Sequence, residues 1–279
     1  MTVLTVAALT LQEAARRRVL RSLAVLTVAL LGLSAWGFAR LDAEFGSLTS
    51  GEAMIASATV LNLVMFGLSL IAALGTAFLA GPTLAGEVES GIALAVMTRP
   101  VRRWAVLVGK WLGLVAFGGG FVTVAGLAQF VVVRVTVGYW PPHPVAGLAL
   151  LAGQTAVLLT LGLLLATAIS PMASGIVAVG LFGATWIAGV VGVVGEALHN
   201  EGVAQVGVVS RMLLPTDGLW RGAMYAFQDP ALFNQIGTGF EASPFLSVAP
   251  LTVTYVAWAA FWIALVLGLA ALAFQRRDL

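Results

Sequence analysis

The chain has 279 residues, 60% of them hydrophobic and 9% charged, with a formal net charge of +2 and no cysteine. An ordinary globular domain carries roughly 25% charged residues. A water-soluble core is therefore excluded, and lipid is the solvent for most of the surface, in keeping with a mean hydropathy of +1.03. The missing cysteines exclude disulfides and thiolate metal sites. The small basic excess reads as loop arginines that orient a membrane protein, not as a nucleic-acid surface.

Residues 1–21 alternate apolar and small side chains and then deliver Arg16, Arg17, Arg18 and Arg21. This pattern predicts a short amphipathic helix at the membrane interface, with its arginines among the headgroups. A cleaved signal peptide is the weaker reading, because the basic residues come late and comparable apolar segments follow. The first span is predicted over 22–39, where the helical rise covers about 27 Å. The second is predicted over 56–80, with Pro82 marking a bend or the end of regular helix. A charged island follows. The third span, 104–133, is long enough to be tilted, or broken at Gly118-Gly119-Gly120. Tyr139-Trp140-Pro141-Pro142-His143-Pro144 reads as an interfacial turn.

Spans four and five are predicted over 145–169 and 172–194, separated by Ser170-Pro171. The longest non-spanning stretch, 195–249, carries Arg211, Asp217, Arg221, Asp229 and Glu241. Its apolar part, 203–214, predicts helices lying on the membrane. The sixth span is 250–274. The fold class is thus an all-α membrane protein: six transmembrane helices, an N-terminal interfacial helix, and a single domain over 1–279.

Six spans place both termini on one side. That side holds Arg16, Arg17, Arg18, Arg21, Arg99, Arg102, Arg103, Lys110, Arg276 and Arg277, ten of the fourteen basic residues. The positive-inside rule puts the termini and the island in the cytoplasm of a cell membrane, and 195–249 outside.

Several chemistries are disfavoured by residue type and spacing. Ser174 and His199 would lie at opposite ends of one span, too far apart for a nucleophile and its base, so Ser174 reads as a packing residue. His143 and His199 are the only histidines and have no ligand-spaced partner. The predicted span interiors lack Asp and Glu, which ion-coupled carriers use. Asn62, Gln129 and Gln154 read as helix-contact residues. Gly109-Lys110 is followed by Trp111, and Trp104 stands where a P-loop needs glycine, so the chain holds no nucleotide of its own. Gly109 and Gly113, and Gly189, Gly192 and Gly195, allow close helix approach, within the chain or across a dimer face.

The island runs Gly86-Glu87-Val88-Glu89-Ser90-Gly91 and on through Met97-Thr98-Arg99-Pro100-Val101-Arg102-Arg103 to Gly109-Lys110. Charge of this density cannot lie in hydrocarbon. One reading is a solvated loop with topology arginines. The other is a short surface helix, with Glu87 and Glu89 at its N-terminal, dipole-favoured end, Pro100 as its stop, and Arg102, Arg103 and Lys110 anchoring span three at the headgroups.

At these residues the chain resembles the permease subunits of ABC-2 type ATP-binding-cassette transporters. Their pattern runs Gly-Glu-x-Glu-x-Gly-Thr, a short apolar run, then Pro-Val-x-Arg and Gly-Lys. Gly86, Glu87, Glu89, Gly91, Pro100, Val101, Arg103, Gly109 and Lys110 match it, and Ile92 stands where threonine is usual. Leu214-Pro215-Thr216-Asp217 with Arg221 also looks like the permease of the transporter that helps mature nitrous oxide reductase. The resemblance implies a cytoplasmic coupling helix between spans two and three, and Glu87, Glu89, Gly91, Arg99, Pro100, Arg103 and Lys110 as the interface to an ATPase. It implies as partners a cytoplasmic ABC ATPase subunit that binds the ATP, a second permease copy, and membrane lipid. The function expected is ATP-driven export with no catalytic motif in this chain. A scaffold or assembly factor, or an ATP-independent carrier, is the alternative.

Overall fold

The computed structural model describes residues 3–45, 51–89, 103–229, 244–247 and 249–276; at 41, 44–45, 51–54 and 84–89 it describes the backbone alone. The described residues form nine helices: α1 (Val3–Arg16), α2 (Arg18–Phe45), α3 (Gly51–Glu89), α4 (Arg103–Val137), α5 (Pro144–Ala166), α6 (Pro171–Ala197), α7 (Glu201–Leu213), α8 (Thr216–Phe227) and α9 (Val253–Arg276). Six of them are long and apolar enough to cross a membrane, over Arg18–Arg40, Ile55–Thr83, Arg103–Val137, Pro144–Ala166, Pro171–Ala197 and Val253–Arg276. The protein is a multi-pass, all-helical membrane protein.

The apolar stretches of α3 and α5 are each 61% buried, against 22–33% for the other four, so these two helices form the centre of the bundle. We call the end where α2 and α4 begin and α9 finishes the basal end, and the opposite one distal. A basal core gathers Leu23, Leu79, Leu107, Leu114, Leu163 and Phe274. A distal core gathers Phe38, Met65, Phe130, Trp220 and Phe227. Gln129 and Gln154 join helices, as their chemistry predicts, and Asn62 ties α3 to Phe245 outside the helices. Gln129 Nε2 donates to Ser34 Oγ at 2.7 Å, Ser69 Oγ donates to Gln154 Oε1 at 2.7 Å, and Asn62 Nδ2 donates to the Phe245 carbonyl at 2.8 Å.

Three expectations are corrected. First, Pro82 does not end α3, which continues as helix to Glu89. Proline deprives the carbonyl four residues back, that of Phe78, of its donor; beside it, Thr83 Oγ1 donates to the Leu79 carbonyl and Lys110 Nζ to the Thr83 carbonyl. Second, α4 runs unbroken through Gly118-Gly119-Gly120. Its 35 residues extend about 52 Å, well past an apolar core of about 30 Å. Third, the stretch 195–249 is not all surface helix: α7 covers the apolar run 203–214 up to Leu213, and α8, beyond it, does not lie on the membrane. Leu219, Trp220, Ala223, Met224 and Phe227 on it are all buried inside the bundle.

Together α7 and α8 make a hairpin that re-enters the bundle from the distal end. Helix α7 descends along α6: Gly195 faces Ala204, Gly192 faces Gly207, and Ser210 Oγ donates to the Thr185 carbonyl at 3.5 Å. Helix α8 climbs back along α5, from Thr216, whose carbonyl accepts from Gln154, to Phe227, which fills the space at Gly147. Seven residues of α5 separate those contacts, a depth of about 10 Å. Trp262, nine residues into α9, donates its indole N–H to the Leu213 carbonyl at 2.8 Å and holds the tip of the hairpin.

Candidate functional site

The basal end is where the sequence places its coupling residues. Glu87 and Glu89 belong to the continuation of α3, not to the first turn of a separate helix. The argument that a helix dipole favours their charge therefore does not apply. Gly91, Arg99 and Pro100, with the expected surface helix, lie outside the described residues. Arg103 and Lys110 both lie on α4. Arg103 Nη1 donates to the Gln275 carbonyl at 3.3 Å, joining the start of α4 to the end of α9.

Lys110 is not a headgroup anchor. It is 6% exposed, and its ammonium reaches the Thr83 carbonyl at 2.6 Å. An ammonium this deep is costly unless its hydrogen bonds are made. The bond therefore ties the start of α4 to α3 one turn before Glu87.

Close backbone approaches surround this tie. A side chain on Gly109 would meet Val6 Cβ at 2.7 Å and the Val3 carbonyl at 2.8 Å, and one on Gly113 would meet Thr10 Cβ at 2.8 Å. These glycines seat α1, whose buried face is Val6, Thr10 and Ala14, so the small-residue pair serves packing within the chain. On α3, a side chain at Gly81 would collide with the Pro171 carbonyl at the start of α6. Ser174, fully buried, donates its hydroxyl to that same carbonyl at 2.8 Å and is a packing residue. Helices α1, α3, α4, α6 and α9 thus interlock beside the two points where the chain enters and leaves the island.

A second polar cluster sits at the distal hairpin, in the stretch where the sequence predicts helices lying on the membrane. Asp217, in the first turn of α8, has a fully buried side chain. Its Oδ2 accepts from Arg221 Nε at 2.8 Å and lies 3.2 Å from Arg211 Nε, in the last turn of α7. Asp217 and Arg211 each sit at the helix end that favours their charge. Tyr255 donates its hydroxyl to the Arg211 carbonyl at 2.9 Å. Gly189 on α6 makes the cavity for the carboxylate, since any side chain there would collide with it. The small-residue series Gly189, Gly192 and Gly195 thus receives the hairpin. The signal available in the sequence was the i, i+4 pair Asp217/Arg221 after Leu214-Pro215, in a stretch too apolar for an open loop.

Nearer the distal end, Tyr139 donates its hydroxyl to the Phe227 carbonyl at 2.6 Å. Burial, and then the charge of Asp229, push its phenol well above the usual value. Among the described residues no group of three potential ligands could hold a metal ion. An apolar groove of about 690 Å³ lies between α5, α6, α7 and α9, lined by Leu161, Leu181, Val206, Leu213 and Trp262 among others.

Fold and site define a helical integral membrane protein with an interlocked basal end and six apolar spans. Residues 4–279 match the family model described as ABC-2 family transporter protein, and the chain belongs to that family. No curated protein is significantly similar to it.

Proposed function

We propose that the chain is the permease subunit of an ABC-2 type transporter that exports its substrate with ATP bound and hydrolysed by a separate cytoplasmic ATPase subunit. The observation that carries this reading is the family match over 4–279. The whole chain is one permease domain, works beside a second permease copy, and sits in the cell membrane with its termini and island in the cytoplasm, as the arginine distribution supports. The chain itself supplies no catalytic group.

In this reading the island between α3 and α4 receives the ATPase, with Glu87 and Glu89 as docking carboxylates and Gly91, Arg99 and Pro100 shaping the element. ATP shifts the equilibrium only as far as it favours one docked state over the other. The basal interlock supports a path for that shift. Lys110 grips α3 at Thr83, Arg103 grips the end of α9, and Gly81 abuts α6. A displaced island therefore pulls on several spans together. The residues that suggest the nitrous-oxide-reductase subtype, Leu214 to Asp217 and Arg221, form the tip of the hairpin and its ion pair, and the proposal does not extend to that subtype.

Affinity purification from native membranes tests the reading. An ABC ATPase subunit is expected to co-purify with the wild type and to be lost from Glu87→Lys. Retention of no ATPase by the wild type would refute the proposal.

A further inference from the structure

We propose that the pocket formed by Arg211 and Arg221 at the distal end of the bundle is an oxyanion site that takes a phosphate-class group. The pocket, of about 280 Å³, lies between α6, α7, α8 and the start of α9, and its polar lining includes Glu196, Arg211, Arg221, Ser247, Thr252 and Tyr255. It is separate from the basal end, and the inference stands whether or not the ATP-driven reading holds.

Three observations point to an anion. First, two guanidiniums share one carboxylate oxygen. Arg221 Nε donates to Asp217 Oδ2, Arg211 Nε lies 3.2 Å from the same oxygen without a hydrogen bond to it, and among the described residues neither has another ion-pair partner. Both arginines line the pocket, and the terminal amino groups of a guanidinium are the part of the fork that binds oxyanions in pairs. Second, the arginine side chains are 22% and 13% exposed. In a site this dry an uncompensated guanidinium favours a counter-anion more strongly than it would in water. Third, Tyr255 in the first turn of α9, with Leu251 and Thr252 just before the helix, lines the same pocket. A helix N-terminus adds partial positive charge.

Among the described residues that line the pocket, Glu196 is the one carboxylate. It is exposed, and it lies outside ion-pair distance of both arginines. It therefore opposes the anion weakly from the rim and does not replace it. A free phosphate and the phosphodiester of an anionic lipid share the required chemistry.

The test uses the full-length purified protein and its thermal unfolding, read by tryptophan fluorescence. Inorganic phosphate, compared with chloride at equal ionic strength, is expected to raise the midpoint saturably. Arg211→Gln and Arg221→Gln are each expected to abolish that dependence. Glu196→Gln, which leaves the buried cluster intact, is expected to lower the half-saturating phosphate concentration severalfold. In nanodiscs, protection by phosphatidylglycerol but not phosphatidylcholine, with phosphate losing its effect, identifies a lipid headgroup as the source. Protection by phosphate regardless of lipid identifies a free anion. No saturable shift from either probe overturns the proposal. So does an unchanged phosphate response in Glu196→Gln, or one that survives both arginine substitutions.

Discussion

Asp217 shows what a single buried charge does for this molecule. Its carboxylate joins the last turn of α7 to the first turn of α8 and occupies space that only a glycine at 189 leaves. Removing the charge leaves two arginines uncompensated in a poorly hydrated site, a loss of about 3–5 kcal/mol for buried pairs. Asp217→Asn is therefore expected to lower the thermal midpoint sharply, whereas Gly189→Ala, an overpacking change, costs about 1–3 kcal/mol. Thermal scans of the two variants check the order. Tyr139 gives a pH dependence. Its phenol keeps its proton in the folded state, while the unfolded chain releases it near an ordinary value of about 10. The sign follows: this contribution to stability is complete below about pH 10 and is lost as pH rises above it. Tyr139→Phe is expected to flatten the alkaline limb of a stability–pH profile.

Among the elements, the six spans were legible in the sequence because long apolar runs leave few alternatives. The predicted limits 56–80 and 145–169 lie close to the observed Ile55–Thr83 and Pro144–Ala166. The re-entrant hairpin was not legible. Residues 201–227 mix apolar and charged positions, and composition alone cannot tell a helix resting on lipid from one inserted between spans. What decides it is tertiary: the glycines of α6, the indole of Trp262 and the amide of Gln154 are aimed at it from distant segments. Pro82 is compatible with a bend or an end, and the helix continues through it to Glu89; the Lys110 contact with Thr83 comes from 27 residues further along. The chain has no cysteine, so accessibility can be mapped with single introduced thiols. Met224→Cys on α8 is expected to resist a membrane-impermeant maleimide, and Glu196→Cys to react readily. Equal, fast labelling would put α8 on the surface and remove the hairpin.

At the scale of the whole molecule, the interlock at the basal end joins α1, α3, α4, α6 and α9 into one packed unit. The island motif was readable as a motif. Its mechanical setting was not, because the seat of α1 on Gly109 and Gly113 and the contact of Gly81 with Pro171 depend on how distant helices cross. Docking and transmission should be separable in this arrangement: Glu87 lies toward the island, and Lys110 holds α4 to α3.

The most direct measurement is ATP hydrolysis by the co-purified ATPase, reconstituted in liposomes with wild type, Glu87→Lys and Lys110→Met. The account predicts that wild type alters the hydrolysis rate, that Glu87→Lys neither binds the ATPase nor alters its rate, and that Lys110→Met binds normally but loses most of the effect. Hydrolysis that is identical with and without the wild-type chain would contradict it.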